Sequence, residues 1–225
     1  MDSFRKIGTD GSKHIAAIIL AAGLSSRMGD FKPLLKFGPY TAVERAVSCF
    51  IEAGLSDITV VVGYRGEAVT EVLKPMDVKV VVNTQFEAGM YSSVQAGVRK
   101  LGVEVEAFFL LPVDHPLVAA ATVKRMVDYY AFSGKGILYP TFHGRRGHPP
   151  LISVRYAHGI LQNSGPQGLR GLLSLYVHDT FNVSVEDEAV LLDMDVPDDY
   201  QSLLHYLADK GHGANHGFPT FPGSR

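Results

Sequence analysis

The chain is 225 residues long, a length that fits one α/β domain or two small ones, and we expect a single domain. Apolar residues make up 46% of it and charged residues 20%, so it can build a sizeable core. A net charge of −2 without a long basic run argues against binding to nucleic acid or to an anionic membrane. Cys49 is the only cysteine, which excludes an intramolecular disulfide and a thiolate-rich metal cluster. Its apolar neighbours at helical spacing predict a buried structural thiol.

The two ends of the chain differ in composition from the rest. Residues 1–13 are polar and lack the apolar stretch of a secretory signal, and no apolar run approaches the roughly 18 to 20 residues of a membrane span. Residues 211–225 are rich in glycine and proline. We therefore predict flexible segments at 1–13 and 211–225, one domain over 14–210, and a cytoplasmic location.

Short apolar runs alternate with helical patterns along most of the chain. The first four predicted strands cover 15–20, 58–62, 79–82 and 107–111, and the helices after them cover 41–53, 67–73, 92–101 and 122–132. After Gly134 the pattern loosens, with strands predicted at 137–139 and 151–153 and helices at 155–161, 169–176 and 197–208. Continuous apolar runs are typical of parallel strands that helices cover on both faces. The predicted fold class is therefore α/β, a single Rossmann-like three-layer domain with a mostly parallel central sheet.

The loop after the first strand is made of small residues and two cations. Ligands of open parallel sheets bind beyond the carboxyl ends of the strands, which is where this loop lies. Ala21, Ala22, Gly23, Ser25 and Ser26 would let backbone N–H groups approach a phosphate closely. Arg27 and Lys32 supply positive charge. The loop lacks the GK[ST] ending of a P-loop and the GxGxxG spacing of a dinucleotide fold, so an ordinary βα turn with two solvated cations is the alternative.

The string LAAGLSSRMGDFKPLL, which begins at Leu20, resembles the signature of the MobA-like nucleotidyltransferases. That signature is LAAG or LAGG, two to three variable residues, RMG and a lysine shortly after, and here Gly23, Arg27, Met28, Gly29 and Lys32 match it. In that family the loop wraps a nucleoside triphosphate, and its arginine and lysine neutralise the phosphates and the departing pyrophosphate. The resemblance implies the nucleotide-diphospho-sugar transferase type of this fold and a nucleotide site formed by the loop. The nucleotide-binding residues implied in this loop are Leu20, Ala21, Ala22, Gly23, Ser25, Arg27, Met28, Gly29 and Lys32, with Arg27 and Lys32 also catalytic.

Carboxylates follow two apolar segments downstream. Phosphoryl chemistry at this edge requires a metal ion, for which strand-end carboxylates are natural ligands. Asp114 in LLPVDHPLV follows a predicted strand, and the resemblance implies that it is a catalytic ligand of Mg²⁺; a turn or cap residue is the alternative. In LLDMDVPDDY, Asp195 matches the family's second metal ligand better than Asp193 does, with simple N-capping as the alternative. Helix-dipole interaction suffices to explain Asp198 and Asp199 in the first helical turn.

Two further segments match the family in part. NTQFEAGMYSSVQAG resembles an element that contacts base and ribose, which implies that Asn83, Gly89, Met90, Ser92 and Ser93 bind nucleotide; either serine is equally well explained as an N-cap. GRRGHP resembles an acceptor-site element in the molybdenum-cofactor branch.

The acceptor site implied by that second segment comprises Gly147, His148 and Pro149, with Arg170 a partial match further on. A surface loop with a solvated basic pair is the alternative for 144–149, and no proton-transfer role is assigned to His148. His115 stands where this branch more often has glutamine.

The resemblance is closest to the molybdenum cofactor cytidylyltransferase branch, because the loop reads LAAG and the later motif PVDHP. Ala22 is the residue associated with cytosine nucleotides in that branch. The implied reaction is Mg²⁺-dependent transfer of CMP from CTP to molybdopterin, with a molybdenum hydroxylase as a candidate recipient of the product. The acceptor half departs from the family pattern at SGPQGLRGLL, so another base such as GTP, or a sugar or polyol phosphate acceptor, stays open. A non-catalytic cofactor-binding chaperone is the third alternative.

Overall fold

A computed structural model describes residues 14–162 and 167–211. The predicted N-terminal segment, the short stretch 163–166 and the predicted tail beyond Gly211 lie outside the described residues. Within the described ranges, no helix is long and apolar enough to cross a membrane.

Strands and helices alternate through the first two thirds of the chain, as the apolar pattern predicts. The strands are β1 Ile15–Ala21, β2 Lys36–Phe37, β3 Tyr40–Thr41, β4 Ile58–Val62, β5 Lys79–Val82, β6 Ala107–Pro112, β7 Ile137–Phe142, β8 Arg145–Arg146, β9 Leu151–Ser153 and β10 Thr180–Ser184. The helices are α1 Ala42–Glu52, α2 Gly66–Leu73, α3 Met90–Val98, α4 Ala120–Ser133, α5 Ala157–Gln162, α6 Gly168–Ser174 and α7 Pro197–Gly211. The predicted helix at 155–161 is a 3-10 turn followed by α5, and β10 was not predicted.

The central sheet runs in the order β10-β7-β9-β6-β1-β4-β5, with β8 paired to β7 at its side. β1 pairs in parallel with both β4 and β6, and β5 continues the parallel set. β9 is antiparallel to its neighbours β6 and β7, whereas β10 pairs in parallel with β7. The prediction of a mostly parallel sheet is therefore confirmed, and β9 and the two-residue β8 are the reversed strands within its described part.

Helices cover both faces of the sheet, which confirms the three layers. Side chains of β1 alternate, so Ile15, Ala17 and Ile19 face a core formed with α1, α2, α4 and α7. Ala16, Ile18 and Leu20 face a second core on the opposite side of the sheet, formed with α3, α5 and α6. Every residue of β1 is buried.

Two local expectations have different outcomes. Cys49 is buried in α1, with its thiol donating to the Ala46 carbonyl at 3.2 Å, and burial raises its pKa, so the structural thiol is confirmed. By contrast, β5 is not covered on both faces, because it is an edge strand and Val82 is 65% exposed. The continuous apolar run of this strand gave the wrong expectation there.

Gly97 allows the close approach of α3 to the sheet. A Cβ at this position would lie 2.5 Å from Ile18 Cγ2 and 3.1 Å from Val61 Cγ2, and both partners belong to buried strands. We expect Gly97→Ala to lower the free energy of unfolding by about 1–3 kcal/mol through overpacking, as measured by urea denaturation. Gly159→Ala is the matched control, since its Cβ would meet only Leu172 methyl groups at 3.8 Å. Equal stability of the two variants would contradict the packing explanation.

Candidate functional site

The ends of β1 and β6 place the predicted loop beside Asp114. Leu20 is paired with Pro112, and the Val113 amide donates to the Leu20 carbonyl at 3.0 Å. The chain then leaves both strands at the same edge of the sheet. As a result, two segments some ninety positions apart in the sequence form one site.

The loop after β1 folds back on itself. Ser25 and Gly29 have positive φ angles of 56° and 76°, and the Ser25 hydroxyl accepts the Lys32 amide at 3.1 Å. On its other side, the Ala22 carbonyl accepts the Tyr64 amide at 3.2 Å, which ties the loop to the end of β4. These bonds hold the start of the 3-10 turn Lys32–Leu34 against the loop and direct Lys32 inward.

Two cations and two carboxylates meet in this site. Lys32 Nζ lies 2.7 Å from Asp195 Oδ1 and 3.7 Å from Asp114 Oδ2. Arg27 Nη1 donates to the other oxygen of Asp195 at 3.1 Å. The structure thus joins all four of the charged residues predicted for catalysis and metal binding in one series of ion pairs.

The two carboxylates differ in environment. Burial raises the pKa of Asp114, opposed mainly by the charge of Lys32, and its Oδ1 is buried without a hydrogen-bond partner in the described structure. The hydrogen bond from Lys32 lowers the pKa of the more exposed Asp195. A hard cation prefers carboxylate oxygens, so the orphaned oxygen of Asp114 together with Asp195 suits a divalent metal. The described residues contain no cluster of three or more His, Cys, Asp or Glu side chains arranged for a metal, so phosphate oxygens and water would have to complete its shell.

Asp195 is held in place by the first turn of α7. The Asp199 carboxylate accepts the amides of both Asp195 and Val196 at 2.9 Å. The Met194 amide donates to the Asp114 carbonyl at 3.1 Å, which joins this segment to the end of β6. Asp193 is exposed, and its pKa is raised by partial burial and by the nearby carboxylates, Asp114 first. Of the two, it is Asp195 that contacts both cations.

Asn83 organises the segment that precedes α3. Its amide donates to the hydroxyls of Ser92 at 2.8 Å and Ser93 at 3.0 Å, and its carbonyl oxygen accepts the Gln85 amide. The N-cap of α3 is Gly89, with a φ of 96°, so the alternative that a serine caps this helix is wrong. Asn83 therefore shapes the pocket wall from behind.

A pocket of about 420 Å³ lies over this edge of the sheet. Most of the predicted nucleotide residues border it, together with six residues that the sequence reasoning missed. The predicted residues in the wall are Leu20, Ala22, Gly23, Ser25, Arg27, Lys32, Gly89, Met90, Ser93, Asp114 and Asp195. The missed ones are Leu24, Pro33, Phe86, Glu87, Pro112 and Val113. The other predicted nucleotide residues, Ala21, Met28, Gly29, Asn83 and Ser92, are not part of the pocket wall.

A second pocket, of about 760 Å³, adjoins the first one, and Leu20, Met90 and Pro112 border both. The predicted acceptor residues Gly147, His148 and Arg170 line it, whereas Pro149 does not. Its walls are mainly apolar, and Tyr139 and Arg146 form a polar side that the sequence reasoning missed. The Arg146 guanidinium lies 4.8 Å from the Tyr139 ring centre, and its Nε donates to Asn182 at 2.8 Å.

The GHP segment is largely buried, so the alternative of a solvated surface loop is wrong for 147–149, whereas Gly144, Arg145 and Arg146 are exposed. A Cβ on Gly147 would overlap the Val190 carbonyl. The rings of His148 and His115 lie 4.6 Å apart, and burial lowers the pKa of both to about 4. Both imidazoles are therefore neutral at pH 7.

Comparison with known proteins gives a consistent result. A family model described as MobA-like NTP transferase domain matches residues 17–182. Molybdenum cofactor cytidylyltransferase of Escherichia coli K12 is 29% identical over 187 residues, covering 83% of this chain and 93% of that protein. Nicotine blue oxidoreductase of Paenarthrobacter nicotinovorans is 27% identical over 197 residues, covering 84% of this chain and 96% of that protein.

Among solved structures, Rv0371c of Mycobacterium tuberculosis H37Rv superposes with a TM-score of 0.75 at 26% identity, covering 86% of this chain and 99% of that one. A further structure of Rv0371c, with a TM-score of 0.70 and 25% identity over 86% of this chain and 99% of that one, is a complex with manganese. The fold is that of the nucleotide-diphospho-sugar transferases, as predicted.

Asp198 and Asp199 both lie in the first turn of α7, but it is the Asp199 carboxylate that accepts the backbone amides of Asp195 and Val196. We expect Asp199→Ala to lower the free energy of unfolding by about 1 kcal/mol, the usual cost of losing a capping carboxylate. The exposed neighbour Asp198 carries the same charge in the same turn. Asp198→Ala should therefore change stability by less than about 0.5 kcal/mol. Urea denaturation of both variants measures this difference, and equal losses would mean that charge, rather than the two bonds, matters at this turn.

Proposed function

Because the chain belongs to the family of MobA-like NTP transferase domains, and is thereby a nucleotidyltransferase, we propose that it transfers CMP from CTP to molybdopterin. The observation that carries this proposal is the junction of the two pockets at Leu20, Met90 and Pro112. One pocket holds the cations and carboxylates, and the other is mainly apolar with arginines. Such a pair of adjoining sites suits the transfer of a group from one bound substrate to another.

The first pocket is the proposed triphosphate site. Small residues of the β1 loop leave room for phosphate oxygens, and Arg27 and Lys32 lie where they can neutralise the β- and γ-phosphates. In the proposed reaction, an oxygen of the acceptor's terminal phosphate forms a bond to the α-phosphorus. The bond from the α-phosphorus to the bridging oxygen breaks, and pyrophosphate leaves towards the two cations. Positioning and charge stabilisation supply the catalysis, so no protein nucleophile is required.

Asp114 and Asp195 are the proposed ligands of a divalent cation. The unpartnered Asp114 Oδ1 and the chemistry of the two carboxylates support this assignment, as does the manganese complex of the structural relative Rv0371c. When bound, Mg²⁺ would offset the negative charge that develops on the oxygens of the α-phosphate.

The second pocket is the proposed acceptor site. Arg146 and Arg170 border it, and no described carboxylate does, which favours an anionic acceptor. Leucine and valine side chains and the Tyr139 ring favour a planar heterocycle over a polyol, because sugar hydroxyls require many polar partners. These features support a pterin phosphate over a sugar phosphate.

Cytosine preference rests on Ala22 and on the resemblance to the cytidylyltransferase relative. GTP as donor and another phosphorylated acceptor are therefore alternatives within the same reaction class. Another relative is named for an oxidoreductase activity, so this fold does not imply one reaction. A cofactor-binding chaperone is the non-catalytic alternative, and the contacts of Arg27 and Lys32 with the proposed metal ligands argue against it, because a binder would not need a metal site. A cytoplasmic location and delivery of the product to a molybdenum hydroxylase belong to the same proposal.

The proposed function is tested by measuring pyrophosphate release with each of the four nucleoside triphosphates, Mg²⁺ and molybdopterin or molybdenum cofactor. We expect release with CTP and at least tenfold slower release with the others, a discrimination of about 1.4 kcal/mol. Release with GTP alone would overturn the base assignment. Release with none, while a sugar phosphate acceptor gives product, would overturn the acceptor assignment.

Asp114→Asn tests the metal assignment. It removes the charge of a carboxylate and keeps its shape, so we expect kcat to fall at least about 100-fold, as for loss of a main electrostatic stabiliser, while the fold persists. The control is Asp128→Asn on the exposed side of α4, which should leave kcat unchanged. Pyrophosphate release gives the rate, and circular dichroism checks the fold. Near-normal turnover of a folded Asp114→Asn protein would show that the metal lies elsewhere.

A further inference from the structure

The ammonium group of Lys32 lies where a metal ion would need access to the two carboxylates. Its Nζ contacts Asp195 at 2.7 Å and Asp114 at 3.7 Å, and its side chain is only 13% exposed. Arg27, which is 76% exposed, adds a second positive charge on the far oxygen of Asp195. The proposed metal ligands are therefore paired in this structure with the proposed phosphate ligands.

This arrangement opposes the binding of a free divalent cation. The cation would have to approach a partly buried ammonium that shares the same oxygens, and two positive charges at such a distance repel each other. Asp195 would also lose its charge-assisted hydrogen bond from Lys32, the main factor that lowers its pKa. A metal ion that binds without nucleotide is thus repelled by the Lys32 ammonium and breaks the hydrogen bond between Lys32 and Asp195.

A triphosphate reverses both effects. It offers several anionic oxygens to Lys32 and Arg27 in the same pocket, and the flexible stem of lysine lets its ammonium change partners with little movement of the chain. Asp195 is then free to bind metal, and the orphaned Oδ1 of Asp114 gains a partner.

We propose that Lys32 excludes free divalent metal from the nucleotide-free site, so that the enzyme takes up metal and triphosphate together as one complex. The inference rests on the proposed function for the identity of the triphosphate site. It adds that Lys32 has two partners in turn, the carboxylates before nucleotide binds and the phosphates afterwards. Binding of the two ligands is then coupled, each favouring the other.

The test is a titration of the nucleotide-free protein with Mn²⁺, in which free Mn²⁺ is followed by electron paramagnetic resonance. Lys32→Met should bind Mn²⁺ at least tenfold more tightly than the unaltered protein, a change of about 1.4 kcal/mol or more. Lys36→Met is the matched control, because it removes an equal charge from an exposed position four residues away. Its affinity for Mn²⁺ should equal that of the unaltered protein. Lys32→Gln serves as the second variant if Lys32→Met does not fold.

The double variant Lys32→Met with Asp114→Asn identifies the site of the added binding. It should lose the gain, since the ion would lie on Asp114. Unchanged or weaker Mn²⁺ binding by folded Lys32→Met would overturn the inference, and so would a gain that survives in the double variant. The pyrophosphate assay is independent of this titration. If the unaltered protein is active but its Lys32 variant gains no Mn²⁺ affinity, the proposed function stands and this inference fails. If the variant gains Mn²⁺ affinity but the unaltered protein is inactive with every nucleotide, this inference stands and the proposed function fails.

Discussion

Parallel pairing of β1 with β6 is the constraint on which the site depends. The register from Ile15 opposite Ala107 to Leu20 opposite Pro112 makes both strands end at one level. The loop that leads from β1 to Lys32 and the turn after β6 that contains Asp114 therefore begin side by side, and short segments suffice to bring their side chains together. The register is fixed by burial, because both strands are buried throughout and a slip of one residue would turn each side chain to the other core.

Two positive and two negative side chains lie close together at this edge of the sheet. Asp114 is mostly buried, and an isolated carboxylate there would be costly, as the rise in its pKa indicates. The ammonium of Lys32 offsets this cost, and Asp195 in turn balances Lys32 and Arg27. Residues suited to binding substrate therefore also act as counter-ions of one another. Asp199 takes no part in these ion pairs; its carboxylate accepts the Asp195 amide and so fixes the backbone of Asp195.

The sequence was informative where its pattern is local. Continuous apolar runs identified the first four strands, and the small-residue loop with two cations identified the charged centre of the pocket. β10 was missed because four of its five side chains point to partly or fully exposed positions, and only Val183 is deeply buried. The function of Asp199 could not be read from its position, since a first-turn carboxylate is ordinary and only the backbone geometry shows what it accepts. Tyr139 and Arg146 carry no local signal either, because their alignment depends on a hairpin and on Asn182 from another strand.

The two pockets draw on different parts of the chain. The first one is bordered by residues between Leu20 and Asp114, plus Asp195, whereas the second takes most of its wall from residues between Tyr139 and Leu173. Among the described residues, the wall that the two pockets share is made by Leu20, Met90 and Pro112, which are apolar. Substitutions in the later segment could therefore alter the proposed acceptor site without changing the charged groups of the first pocket. A fold with two such separate pockets does not by itself decide the reaction, and two relatives of this chain carry names of different activities.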